Sequence, residues 1–177
     1  MLVGGALLVT LLNGQSSYLS MDASIQVQEE TRRAFDTMVR ELHEAGGTVL
    51  PCSNCQTLDF QVALGYNSPS DCSGVCWGAS DASNNPQVGW NVVYTIEPPG
   101  TQGAQLIRRA KNGTTTVTTR ILANLVDGTT TNSNFNFDST GRIITVKLQT
   151  KTPTGSLMPG GPRSSGVLTS QVKLRNP

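Results

Sequence analysis

Charged side chains are scarce in this sequence of 177 residues. Asp, Glu, Lys and Arg make up 14% of it, against about 25% in typical soluble proteins. Thr, Ser, Asn and Gln together supply 59 residues, so hydroxyls and amides rather than ions keep the surface hydrated. This composition argues against an ordinary cytosolic enzyme and indicates a β-rich protein that is secreted or exposed at a surface.

Groups that carry catalysis are also scarce. His43 is the one histidine, so no second imidazole is present to build a Ser-His-Asp triad. Neither a Gly-x-Ser-x-Gly elbow nor a glycine-rich phosphate-binding motif occurs in the sequence. We therefore expect no enzymatic activity.

Lys and Arg are absent from residues 45–107, which carry four acids, whereas residues 108–177 carry ten basic residues and two acids. Copies of the chain could pack through such complementary faces. A basic sheet edge that discourages strand pairing is an equally good interpretation. The net charge of +1 makes nucleic acid an unlikely partner. If it is one, the candidate basic surface is Arg108, Arg109, Lys111 and Lys147.

A long helix is predicted for residues 1–46. Residues 1–21 are uncharged and begin with an apolar run of twelve, which is too short to span a bilayer alone. From Asp22 onwards the segment 22–46 is amphipathic, with apolar residues three or four positions apart, and Gly46-Gly47 is expected to end the helix. About 45 helical residues would extend roughly 65 Å, too far for a chain of this size to bury.

Strand patterns with a period of two follow Gly47 and predict a β-rich head over 47–177, with a cysteine-containing loop at 51–87. The predicted strands are 58–64, 88–97, 104–111, 114–126, 134–137, 142–151 and 166–175. Turn residues predict hairpins at 98–103 and 138–141. The expected fold class is α+β, one long N-terminal helix packed on an antiparallel sheet.

The four cysteines, Cys52, Cys55, Cys72 and Cys76, are best explained as disulfides in an exported chain. Zinc and thiol redox chemistry are weaker alternatives, because the spacing is near but not at a zinc-ribbon pattern and the sequence context is not βαβ. Nested pairing (Cys52 with Cys76, Cys55 with Cys72) suits a hairpin register. Local pairing within each couple fits nearly as well.

Two polar motifs admit a second interpretation. Asp127-Gly-Thr and the run from Asn132 to Asp138 could offer oxygen ligands to calcium, and turn chemistry explains them equally well. Asn112-Gly113-Thr114 matches the pattern of N-glycosylation acceptors, and a plain hairpin turn also explains it. No cofactor is expected from the remaining sequence.

Two stretches resemble a known family. Arg33-Ala-Phe-Asp-x-Met-x-Arg-Glu-Leu-x-x-Ala-Gly46 follows the apolar start, and Ile143-Ile-Thr-Val-Lys-Leu148 precedes Leu168-Thr-Ser-Gln-Val-Lys-Leu-Arg-Asn176. Both resemble type IV pilins and type II secretion pseudopilins, above all the J-type pseudopilin and the W-type minor pilin. The resemblance implies a pilin-like fold. The family's leader and mature start are missing before Met1-Leu-Val-Gly-Gly. A truncated chain, a misassigned start and a divergent family member are the three explanations, and truncation is supported because about five further apolar residues would bring the apolar segment near membrane-spanning length.

The resemblance also implies a function, that of a structural subunit of an extracellular, type IV pilus-like filament at the cell surface. The alternative is a minor subunit of a tip or initiation complex with an adhesive or DNA-binding role. Its partners would be copies of itself or other pilin-like subunits, and the inner membrane before assembly. The expected filament core is Met1, Leu2, Val3, Leu7, Leu8, Val9, Leu11 and Leu12. Local unwinding is expected at Asn13, Gly14 and Gln15 in the assembled filament, because glycine weakens a helix.

Overall fold

A computed structural model describes residues 2–46, 52–67, 72–140, 142–150 and 166–174. One helix, α1 (Leu2–His43), precedes eleven strands. The strands are β1 (Ala45–Gly46), β2 (Cys52–Cys55), β3 (Thr57–Tyr66), β4 (Val75–Ser80), β5 (Pro86–Val88), β6 (Asn91–Glu97), β7 (Gln102–Asn112), β8 (Thr115–Asp127), β9 (Asn134–Asp138), β10 (Ile143–Gln149) and β11 (Val167–Lys173).

The larger sheet is antiparallel and has the strand order β5-β4-β3-β6-β7-β8, with β1 pairing beside β3. The predicted hairpin at 98–103 is confirmed, since β6 pairs with β7 across it. Strand β7 then turns back into β8 through residues 113 and 114 alone. Consequently β8, thirteen residues long, forms one edge of this sheet, and the three-residue β5 forms the other.

The smaller sheet has the order β11-β10-β9-β2 and is also antiparallel. The hairpin predicted around 138–141 is confirmed by its strands, because β9 pairs with β10 and Asp138 lies opposite Ile143; residue 141 itself lies outside the described residues. A single bridge from Val126 to Thr150 joins the end of β8 to the end of β10. The apolar faces of both sheets and of α1 contribute to one core, whose largest fully buried side chains include Tyr94, Phe60 and Phe135.

The predicted fold class is wrong. The head contains two curled antiparallel sheets rather than one, strand dominates the fold, and only a short C-terminal part of α1, within residues 25–43, packs on the sheets. Its buried positions recur every three or four residues: Val27, Thr31, Ala34, Met38 and Leu42. Sequence periodicity located strands but not their partners, and a second sheet is a property of pairing rather than of any single strand.

The helix ends at His43, three residues before the expected Gly46-Gly47 cap. Ala45 and Gly46 instead pair with β3, opposite Val62 and Gln61. A Cβ atom on Gly46 would lie 2.1 Å from Cη2 of Trp77. Close packing of an indole ring on the backbone, not helix capping, therefore explains why glycine occupies this position.

The cysteine-containing region 51–87 is not a loop, because β2, β3, β4 and most of β5 lie in it. Only the strand predicted at 58–64 was recognised, and it corresponds to β3. The β4 sequence Val-Cys-Trp-Gly-Ala-Ser has small residues at buried positions such as Gly78 and Ala79, so it gives little alternation of polarity.

Candidate assembly surface and its joint to the head

The N-terminal part of α1 extends beyond the head. We call residues 2–26 the stem, because Val27 is the first buried residue among those helix positions whose side chains the structure describes. A helical segment of 25 residues is about 38 Å long. Three large side chains of the stem are exposed: Tyr18 to 80%, Met21 to 66% and Ile25 to 56%. The stem therefore offers an apolar surface that the described head does not cover.

The exposed stem side chains lie on a different face of the helix from the buried ones. At 3.6 residues per turn, Tyr18, Met21 and Ile25 form one stripe, since they are three and four positions apart. That stripe is rotated by about 140° around the helix axis from the face of Val27 and Met38 that packs on the sheets. The head could not cover both faces, so the stem stripe is available to another molecule.

A polar cluster fixes the helix to the larger sheet. The Tyr94 hydroxyl donates to Glu41 Oε2 at 2.7 Å, and Arg108 Nε lies 3.0 Å from both carboxylate oxygens of Glu41. Tyr94 and Arg108 face each other across β6 and β7, while Glu41 belongs to the last turns of α1. The ion pair is largely buried, with side-chain exposures of 14% for Arg108 and 22% for Glu41. We call these three residues the joint.

Burial sets the electrostatics of the joint. It raises the pKa of Tyr94 well above its ordinary value of 10.0, and the negative charge of Glu41 raises this pKa further. For Arg108, burial acts to lower the pKa, but the hydrogen bond and charge of Glu41 outweigh burial, so the pKa is raised. Tyr94 thus stays neutral and Arg108 stays charged. Both groups can therefore donate hydrogen bonds to the carboxylate of Glu41, and Arg108 supplies the opposite charge.

A second polar contact links the helix to the edge strand. Asn124 of β8 donates to Glu30 at 2.8 Å and accepts from Gln105 at 2.8 Å. Beside it runs a groove of about 310 Å³ between α1 and β8. Its charged lining includes Glu29 and Arg33, which form an ion pair with each other. Both acids of this lining thus have a partner, Glu29 in the ion pair and Glu30 in the hydrogen bond from Asn124.

The predicted assembly residues have the following positions. Leu2, Val3, Leu7, Leu8, Val9, Leu11 and Leu12 lie within the helical backbone of the stem, and Met1 lies outside the described residues. Asn13, Gly14 and Gln15 continue the same helix, with Gly14 and Gln15 exposed. Their unwinding concerns the assembled filament and stays a prediction.

The four basic residues do not form one surface. Arg108 faces the helix within the joint, whereas Arg109, its neighbour along β7, binds Glu97 through two hydrogen bonds of 2.7 Å. Lys111 is further along β7, and Lys147 belongs to the smaller sheet, where its Nζ donates to the Thr131 carbonyl at 2.7 Å. Because both arginines are held by carboxylates, this set is a poor candidate for binding phosphates.

The cysteines pair locally, Cys52 with Cys55 and Cys72 with Cys76, each with a Cα–Cα distance of 5.7 Å. The nested alternative required the two segments to be hairpin partners. They are not, because β2 pairs with β9 in the smaller sheet, while β4, which contains Cys76, pairs with β3 and β5 in the larger one. The first disulfide therefore lies within β2, and the second joins the start of β4 to the segment just before it.

The oxygen atoms considered for calcium are engaged in turns. Asp127 is buried, and its carboxylate accepts hydrogen bonds from the backbone N–H and hydroxyl of Thr129 and from the Asn132 amide. Asp138 accepts from the Thr140 backbone N–H. Within the described residues, no group of three or more His, Cys, Asp or Glu side chains is arranged to hold a metal ion.

No protein family model matches the sequence, and no curated protein or solved structure is significantly similar to it. In the part of the chain that the structure describes, no helix is both long and apolar enough to cross a membrane.

The joint was not predicted from the sequence, although one signal for it was present. Trp90, Val92, Tyr94 and Ile96 alternate towards the helix, and a tyrosine at a buried position of such a strand needs a partner for its hydroxyl. An acid on the facing helix is the natural partner. Which of the helix acids fills that role depends on the helix rotation, which the sequence does not define.

Proposed function

We propose that this protein is a structural subunit of an extracellular filament of the type IV pilus kind, in which copies associate through the stem. The observation that carries the proposal is the apolar stripe of Tyr18, Met21 and Ile25, exposed on a helix face that the head does not use. A monomer gains nothing from leaving these side chains in water. Each would contribute about 1.5–3 kcal/mol when fully buried against another copy.

The rest of the chain suits this role. The joint fixes the helix to the head through a hydrogen-bonded carboxylate, so the stem projects at a defined angle from each subunit. The head presents a polar surface of Thr, Ser, Asn and Gln, which is appropriate for the outside of an assembly. The proposal rests on the stem and on the sequence resemblance of residues 33–46, not on the fold class. Before assembly the subunits would lie in the inner membrane. Because lipid already buries the apolar stem there, transfer of the stem into a filament would release much less free energy than transfer from water.

Electron microscopy of the native assembly tests the proposal. Filaments with this subunit's density along their whole length are expected, and Met21→Lys should abolish them, because a charge would be buried at the contact. Gln26→Lys is the matched control: it adds the same charge to an exposed position of the stem on another face, and filaments should persist.

Equal yields of filament from the two variants would show that the stripe makes no contact. Density confined to filament tips would instead assign the protein to the alternative role, a minor subunit of a tip or initiation complex. A chain that stays monomeric in its native setting would refute both.

A further inference from the structure

The sequence contains one Asn-x-Ser/Thr triplet, Asn112-Gly113-Thr114, and the structure places it at the tip of the longest hairpin. Asn112 ends β7, Thr115 begins β8 opposite it, and the loop consists of residues 113 and 114 alone. Gly113 has a φ of 59°, which the first central position of a type II′ turn requires. The acceptor asparagine therefore stands directly beside a tight turn.

All three residues of the triplet are exposed. A Cβ atom on Gly113 would meet nothing within 4 Å, so the space around the tip is open. Among the described residues, the Asn112 carboxamide has no hydrogen-bond partner. A bulky group on Asn112 Nδ2 would thus displace neither packing nor a hydrogen bond of the fold.

The strand that starts at this tip is a weakly protected edge. Among the strands that the structure describes, β8 pairs with β7 on one side and has no neighbour in its sheet on the other. Its residues 115–119 (Thr-Thr-Val-Thr-Thr) are uncharged and β-branched, and Arg120 is the first charge. Exposed edges of this kind pair with other chains, and native proteins usually interrupt them with Lys, Pro or bulges. Over residues 115–120 the protection is one register shift around Val117 and the single arginine, while the other three shifts of the β7–β8 pair lie further along the strand.

We propose that Asn112 is the acceptor of an N-linked glycan and that this glycan shields the first residues of the β8 edge from pairing with other chains. The inference rests on the extracellular location contained in the proposed function. The donor is a polyprenyl diphosphate-linked oligosaccharide. A bond forms between Asn112 Nδ2 and the anomeric carbon while the bond from that carbon to the diphosphate oxygen breaks. The electron pair of the broken bond leaves on the polyprenyl diphosphate, which takes up the proton that the carboxamide loses.

The position also fits the assembly. Arg120 is the first residue of β8 that lines the groove against the helix, six residues along the strand from Thr114, or about 20 Å at strand spacing. A glycan at the tip is therefore attached about 20 Å from the nearest part of the helix, and the stem stripe of Tyr18, Met21 and Ile25 lies on another face of that helix.

The test expresses the full chain, with a secretory signal, in cells that contain an oligosaccharyltransferase, and measures the mass of the peptide containing residue 112. The wild type should carry glycan on most molecules, and Thr114→Ala, which destroys the triplet, on none. Thr116→Ala is the matched control, because it removes an exposed threonine of the same strand and keeps the triplet. Light scattering should show several-fold faster aggregation of Thr114→Ala, and of the wild type after enzymatic removal of the glycan.

An unmodified Asn112 in cells that glycosylate a reference protein would overturn the acceptor assignment. Equal aggregation rates with and without glycan would overturn the shielding role. Both readouts are independent of filament formation: a glycosylated chain that never assembles would refute the proposed function and leave this inference standing.

Discussion

Removing the Tyr94 hydroxyl tests the joint directly. In Tyr94→Phe the ring still fills its place beside Phe60, whose centroid lies 5.9 Å away, and only the hydrogen bond to Glu41 is lost. A hydrogen bond to a charged group contributes about 1.5–3 kcal/mol. We therefore expect the free energy of unfolding, measured by urea titration with circular dichroism, to fall by that amount at an unchanged m-value.

Tyr66→Phe is the control, because Tyr66 is 73% exposed and the same atom is removed; its effect should stay within about 0.5 kcal/mol. A loss of that small size for Tyr94→Phe would refute the assignment. In a Glu41→Gln background the same substitution should cost only about 0.5–1.5 kcal/mol, since the acceptor is then neutral. A double-mutant cycle thus yields a coupling of about 1 kcal/mol.

The pH dependence gives a second measurement of the same contact. The pKa of Tyr94 is raised in the folded protein, so its contribution to stability is complete below pH 10 and is lost as the pH rises through the folded pKa. Wild-type unfolding free energy should therefore fall more steeply above pH 10 than that of Tyr94→Phe. Parallel curves would contradict the buried, neutral tyrosine.

Three further outcomes are expected. Gly46→Ala should lower the unfolding free energy by about 1–3 kcal/mol, because the added methyl group would collide with the indole ring of Trp77. Gly14→Ala lies in open space on the helix and should raise the unfolding free energy by about 0.5–1 kcal/mol. Equal effects of the two substitutions in urea titrations would contradict the packing at Gly46. The hydrogen bond from Arg109 lowers the pKa of Glu97 below its ordinary value of 4.5, so the free energy of unfolding should decrease as the pH falls below 4.5. Glu97→Gln should remove this pH-dependent contribution. Because the Glu97 side chain is 41% exposed, the contribution is about 1 kcal/mol or less. Replacing both residues of the Cys52–Cys55 disulfide by serine should cost about 2 kcal/mol, from the entropy of a short loop, and an unchanged thermal transition would exclude this stabilisation.

Sequence patterns predicted local structure well wherever one face of an element is apolar. The alternation of Ile144, Val146 and Leu148 predicted β10, and all three are buried. The Pro98-Pro99-Gly100 turn was also predicted, because these residues restrict the backbone whatever surrounds them. Such signals depend only on neighbours in the chain.

What could not be predicted depends on partners distant in sequence. Strand β2 pairs with β9, about 80 residues away, and no property of Cys52–Cys55 identifies that partner. Gly46 resembled a helix cap until Trp77 was placed against it. The joint likewise needs the rotation of a helix relative to a sheet, a tertiary quantity that is fixed by the packing of residues such as Met38 and Leu42.

Because both disulfides are local, they do not connect the elements that would resist a pulling force on the helix. Each closes a separation of only three or four residues, so neither covalently ties the helix to a sheet or one sheet to the other. Force applied along the helix enters the head through Ala45–Gly46, which hold β3 by a two-residue ladder. The mechanical strength of the subunit along its helix is therefore set by non-covalent contacts: this ladder, the carboxylate of Glu41 and the apolar face of residues 27–42.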